Sequence, residues 1–286
     1  MRRRSVLGLI AATSAVATGA VWFQRDTQPN RSFSTPSLAS DPLTTAGAIA
    51  VATLGDLSVM HDATAGSICL QRTDGTETWR LPEDGHPFIR AAAASSAHGR
   101  IWVVDASSRS VRSFDSLGNE LAVVHRGAVA GLVWDEQREW LFVSAPAARQ
   151  VVAYNLRGDV MQQIEVSRDS VLRYPGSLAV GTGGTLYAAD RESGGIVRID
   201  AEGRITGVLP NSDGRLFHSL VVQGGLLHAA DREMATVSTW SADGSLLEAR
   251  ALRDAEGLPA TPWALGLPVA GYPSVQTDRP ARMEQA

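Results

Sequence analysis

The chain has 286 residues, of which 44% are hydrophobic and 20% charged, with 27 Gly, 13 Pro and one Cys. That balance excludes a disordered or collagen-like protein. All 26 basic residues are Arg, which excludes lysine Schiff-base and P-loop chemistry, and a net charge of −4 leaves no basic footprint for nucleic acid.

The chain opens on Arg2, Arg3 and Arg4, followed by an uncharged apolar run over residues 6–20 with small residues at cleavage-like spacing. This is the pattern of an export signal, and the Arg pair resembles a twin-arginine signal. Residues 1–23 are therefore expected to be a signal peptide or, if uncleaved, an anchor through residues 6–23, close to the lower length limit for crossing a bilayer. The expected location is the bacterial periplasm or exterior, with membrane contact only through this segment. Without residues 1–20 the body holds 23 Arg against 30 acidic residues. Residues 24–44 are rich in Ser, Thr, Pro, Gln and Asn and read as a linker that also has the option of closing the fold.

Residues 45–286 read as one repetitive all-β domain. Gly99-Arg-Ile-Trp-Val-Val-Asp105, Gly184-Thr-Leu-Tyr-Ala-Ala-Asp190 and Gly225-Leu-Leu-His-Ala-Ala-Asp231 are copies of one segment, with looser copies starting at Gly55 and Glu139. Their starts lie 44, 40, 45 and 41 residues apart. A second motif follows each: Phe114-Asp115 with Gly118, Tyr154-Asn155 with Gly158, Ile199-Asp200 with Gly203, Trp240-Ser241 with Gly244. The polar residue can bond the turn backbone, and Gly can take the positive φ of a hairpin bulge. Four short strands per repeat of this length predict a β-propeller. At a period of ~42 residues the expectation is six four-stranded blades, the sixth incomplete or closed by an N-terminal strand from residues 31–40. The fourth repeat predicts strands at 177–180, 185–189, 196–199 and 204–209, and the last predicts one at 272–277. A closed ring of this size is expected to be a monomer.

Tyr174-Pro-Gly-Ser-Leu-Ala-Val180, Gly184 to Asp190, Ile196-Val-Arg-Ile-Asp200 and Gly203 together resemble one repeat of the NHL family of six-bladed propellers. Ala145-Pro146 departs from it, standing where the family has a terminal Asp. The resemblance implies the fold; propellers of this kind serve as lyases, lactonases, receptors and protein-binding modules.

Candidate binding residues gather just before the inner strands. Arg90, Arg173 with Tyr174, Arg215 with His218, and Trp263 recur at this place, where pseudosymmetry brings them to one channel mouth. Guanidinium groups there suit a carboxylate or phosphate. The competing reading is that each Arg pairs with a neighbour such as Glu83, Asp84, Asp169 or Asp213. His86, His125 and His218 offer a three-His zinc site of the kind the resemblance to an NHL-type amidating lyase implies, with Arg173 and Tyr174 as its Arg–Tyr pair. A calcium-dependent lactonase would need an Asn at the channel, and only Asn211 precedes a channel mouth. Asp105, Asp190 and Asp231 read as structural turn caps, and Cys69 as a buried thiol; a lone Cys also excludes an internal disulfide framework and a cysteine zinc site. The first expectation is a non-catalytic exported propeller, without cofactor, that binds a protein partner or small anionic ligand at its central channel. The alternative is a metal-dependent lyase or lactonase, using zinc or calcium in that channel.

Overall fold

The computed structural model describes residues 44–45, 47–82, 88–166, 169–209, 211, 214–269 and 272–285. The expected signal segment, residues 31–40 and His86 lie outside these. After β1 (Thr44–Thr45) come five antiparallel meanders. The first blade is β2 (Ile49–Leu54), β3 (Leu57–Asp62), β4 (Ser67–Arg72) and β5 (Glu77–Leu81). The second is β6 (Ile89–Ser95), β7 (Arg100–Asp105), β8 (Ser110–Asp115) and β9 (Glu120–Arg126). The third is β10 (Gly131–Asp135), β11 (Trp140–Ala145), β12 (Gln150–Tyr154) and β13 (Val160–Glu165). The fourth is β14 (Pro175–Val180), β15 (Leu186–Asp190), β16 (Ile196–Ile199) and β17 (Ile205–Leu209). The fifth is β18 (Phe217–Gln223), β19 (Leu226–Asp231), β20 (Thr236–Trp240) and β21 (Leu246–Arg253). The chain ends in β22 (Pro262–Val269), β23 (Tyr272–Thr277) and β24 (Arg282–Gln285).

Burial explains the apolar runs of the repeat. Strands β7, β11, β15 and β19 are almost wholly buried because each blade is covered on both faces by its neighbours. Outer strands such as β13 and β17 are exposed along most of their length. Trp102 of the second blade stacks on Trp134 of the third with ring centroids 4.6 Å apart, an inter-blade contact of the kind that fills such a core. Cys69 is buried in β4, and burial pushes its thiol pKa up.

The turns follow their sequence chemistry. Asp105 accepts the amides of Ser107 and Ser108, Asp190 that of Glu192, and Asp231 those of Glu233 and Met234. Where the third blade has Ala145, a short 3₁₀ turn over Pro146–Ala148 replaces the cap. At the outer hairpins Asp200 accepts from Glu202 and Arg204, and Gly203 takes φ +85°, a conformation that costs any residue with a Cβ.

The first strands β2, β6, β10, β14, β18 and β22 are neighbours in cyclic order, so β22 stands between β18 and β2. The last sheet is incomplete, and residues 31–40, expected as one means of closing it, lie outside the described residues. Among the described residues the last sheet has three strands, β22, β23 and β1, and β1 pairs parallel to β23, Thr44 opposite Val275. The C-terminal β24 instead pairs antiparallel with β21 as a fifth strand of the fifth blade, with Met283 buried. The ring is tied by Gln276, fully buried, which accepts from the Ala63 amide at 2.9 Å and donates to Asp62 Oδ1 at 2.7 Å. At Gly266 a Cβ would stand 2.5 Å from the Ala50 carbonyl oxygen, so only Gly lets the last sheet approach the first blade this closely.

Candidate functional site

Blades converge toward the axis, so the inner strands carry small residues there: Ala92, Gly131, Ser177, Ser219 and Ala264. Two serines stitch adjacent inner strands. Ser177 Oγ accepts the Leu220 amide at 3.1 Å, and Ser219 Oγ accepts the Leu265 amide at 3.0 Å. Between the strands lies a cavity of about 390 Å³ with an apolar throat of Leu132, Leu178, Leu220 and Leu265.

The mouth is built by a recurring irregularity. Ile89 pairs with Asp105 and Ala91 with Val104, leaving Arg90 as an extra, bulged residue. The same slip frees His218 between Phe217 and Ser219, Trp263 between Pro262 and Ala264, and Val51 between Ala50 and Ala52. A bulge re-aims a side chain out of the regular alternation, and all four of these residues line the cavity. In the fourth blade the slip falls at Gly176 and Ser177. A Cβ at Gly176 would be 2.8 Å from Arg191 Cγ, so the missing side chain leaves the space along which Arg191 runs.

Arg191 and Arg232 join Arg90 on the cavity wall. They directly follow Asp190 and Asp231, whose carboxylates also accept the amides of Tyr174 and Leu216 and so fix the loops on both sides of the mouth. Among the described residues no Asp or Glu lines this cavity, and the side chains of the three Arg make no hydrogen bond or ion pair. Glu233 lies on an adjoining recess with Arg191, Arg232 and His218 but pairs with neither Arg. Arg232 stacks on Trp263, its guanidinium carbon 3.8 Å from the ring centroid. Among the described residues, both buried ring nitrogens of His218 lack a hydrogen-bond partner, and the Trp263 Nε1 is likewise unpartnered. Burial, aided by the positive charges of Arg232 and Arg191, lowers the His218 pKa to about 3; the nearby Pro262 and Trp263 backbone opposes this weakly, without a well-formed hydrogen bond. His218 is therefore neutral at pH 7, with one donor and one acceptor nitrogen. His61, also on the wall, is buried with its Nε2 3.3 Å from the Ile89 carbonyl oxygen, and burial lowers its pKa.

Of the residues singled out in the sequence, the fold brings Arg90, His218 and Trp263 to this cavity. Arg173, Tyr174 and Arg215 are not among its lining residues. Arg173 pairs with Glu192 at 3.4 Å on the exposed surface. Tyr174 is 41% exposed. Arg215 reaches Ser238 on β20, the third strand of its blade. For Arg173 the competing reading of a local ion pair is the one realised. His125 lies on the outer strand β9 with its Nδ1 2.7 Å from Tyr154 Oη and is not among the cavity's lining residues, while His86 lies outside the described residues. Among the described residues no three potential metal ligands come together. Asn211 is taken up by the loop it closes, its amide bonding the Arg215 carbonyl oxygen and amide at 2.9 Å each. Arg191 and Arg232 were not anticipated. Their signal in the sequence was the Asp-Arg dipeptide at 190–191 and again at 231–232, at matching places of two repeats.

No family description and no curated protein matches the sequence. Solved structures do match. A streptogramin B lyase is 11% identical over 86% of this chain and 94% of that one, with a TM-score of 0.61. Virginiamycin B lyase from Staphylococcus aureus is 16% identical over 79% of this chain and 73% of that one, with a TM-score of 0.59. A chain of the nidogen/laminin complex is 15% identical over 73% of this chain and 79% of that one, with a TM-score of 0.57. The chain is a β-propeller. At these identities the likeness carries the architecture and not an activity.

Proposed function

We propose that this propeller is exported and binds a small anionic ligand at its axial mouth without transforming it, and that the three-stranded sheet counts as a reduced sixth blade. One observation carries the binding reading: Arg90, Arg191 and Arg232 face one cavity that, among the described residues, holds no carboxylate. Unpaired guanidinium groups create a positive local potential on a negative protein and favour bidentate capture of an acid group. A non-catalytic role is supported by the wall itself, where among the described residues no nucleophile is hydrogen-bonded to a base: Ser177 and Ser219 accept backbone amides, and His218 is unpartnered. Export rests on Arg2–Arg4 and the uncharged run behind them.

Calorimetric titration with inorganic phosphate and short carboxylates tests the reading. Arg191→Ala and Arg232→Ala should each weaken binding by roughly 1.5–3 kcal/mol, the cost of a charge-assisted bond. Arg173→Ala, whose guanidinium is paired outside the cavity, should leave it unchanged. Equal losses in all three variants would move the site away from the axis.

A further inference from the structure

Resting on the anion-binding reading, the make-up of the wall narrows the ligand. Above the throat stand three cations, while the throat itself is aliphatic. An inorganic anion would satisfy the rim and leave the throat facing water, whereas a neutral apolar ligand would leave the guanidinium groups unmatched. In the same wall, level with Arg90 in the strand register, His218 and Trp263 carry buried polar atoms that have no hydrogen-bond partner among the described residues. Buried polar atoms are normally satisfied, and those left open in a cavity wall point to a ligand group or ordered water. Neutral imidazole needs both an acceptor and a donor, and the indole N–H needs an acceptor. A hydroxyl can meet one His218 ring nitrogen in either tautomer, as donor or as acceptor; an amine, positive at neutral pH, would face Arg191 and Arg232.

We propose that the axial cavity selects a 2-hydroxy carboxylate with a compact apolar side chain: the acid on Arg232 and Arg191, the hydroxyl on His218, the side chain in the throat. Arg232 is the pivot of this arrangement. Its guanidinium lies on the Trp263 face, so an acid group that engages it shifts its stacking and changes the indole environment. Binding therefore has a tryptophan fluorescence signal in addition to its heat. The cavity volume is in the range of sites that enclose small organic molecules.

The test compares four probes on the same protein: 3-phenyllactate, 3-phenylpropionate lacking the hydroxyl, 3-phenyllactamide lacking the charge, and inorganic phosphate lacking the apolar part. Phenyllactate should bind tightest, with phenylpropionate about tenfold weaker and the amide weaker by at least as much. Two variants assign the contacts. His218→Phe should abolish the preference for phenyllactate over phenylpropionate while retaining carboxylate binding. Arg232→Gln should abolish the preference for acid over amide and alter the Trp fluorescence of the unliganded protein. Unchanged thermal melting shows that either variant is folded; His218→Leu and Arg232→Lys are the alternates if it is not. Equal affinity for phenyllactate and phenylpropionate, or phosphate binding as tightly as phenyllactate, overturns this inference and leaves the anion-binding reading standing. Failure of phosphate and both carboxylates to bind overturns both.

Discussion

Buried histidines make this propeller acid-sensitive well above the carboxylate range. His228 is 3% exposed on β19, its Nδ1 3.0 Å from Thr239 Oγ1, and burial lowers its pKa to about 4. His218 lies at about 3. In the unfolded chain both return to about 6.5. A folded pKa below the unfolded one means that the unfolded chain takes up the protons first. Stability is thus intact above pH 6.5 and falls as pH drops from there toward the folded pKa values. Between pH 7 and pH 5 each histidine costs about 1.9 kcal/mol, so the pair costs roughly 4 kcal/mol, a large share of a typical stability. His61 and His125, also lowered by burial, act in the same direction. Asp62 and Glu136 are held below their ordinary values by hydrogen bonds from Thr64 and Trp134 and their neighbours, and so titrate beneath this window. Urea denaturation followed by Trp fluorescence at pH 7, 6 and 5 measures the effect, and His228→Gln should reduce the loss between pH 7 and pH 5 by about 2 kcal/mol. Stability that is flat or rising from pH 7 to pH 5 would refute the reasoning.

Three further outcomes can be checked by the same denaturation assay. Gln276→Ala removes the ties to Asp62 and Ala63 and leaves buried polar groups unpaired, so it should cost about 2–4 kcal/mol. Arg138→Ala should cost about 2–3 kcal/mol, because this guanidinium bonds Asp135 at 2.6 Å and the Gly184 carbonyl of the next blade at 2.7 Å. Ala235→Gly should stabilise by roughly 0.5–1 kcal/mol, since Ala235 sits at φ +49° and relief of its Cβ strain exceeds the added entropy of Gly.

What could be read from the sequence was what short-range chemistry determines. The predicted strand at 196–199 is Ile196–Ile199, and the one at 272–277 is Tyr272–Thr277, because apolar runs between Asp and Gly turns leave little choice of boundary. The caps Asp105, Asp190 and Asp231 followed from the same local logic. Closure was not legible in this way. In the sequence of β24, Met283 is the one apolar residue between Arg282 and Glu284, and the pairing of this strand with β21 is a tertiary choice between open edges that no periodicity encodes.

The mouth shows why half of its residues were legible and half were not. Arg90, His218 and Trp263 each stand second in an inner strand, where a bulge turns one side chain toward the axis. Arg173, Tyr174 and Arg215 lie only one or two residues before theirs, yet that offset places them in the preceding loop, where Arg173 meets Glu192 and Arg215 meets Ser238. Lying before the strand, they are not turned toward the axis by the bulge that re-aims its second residue. In the fourth blade the second position is Gly176, which supplies no side chain, and Arg191 from the neighbouring turn occupies the space instead. The positive mouth is thus assembled from two structural sources, bulged inner-strand residues and the arginines that follow Asp190 and Asp231. Gly176→Ala separates them: it should push Arg191 off the inner strand and weaken carboxylate binding about as much as Arg191→Ala does, while leaving Arg90, His218 and Trp263 in place. Titration of both variants with the same carboxylate measures this, and wild-type affinity in Gly176→Ala would show that the route of Arg191 across that strand is not what charges the mouth.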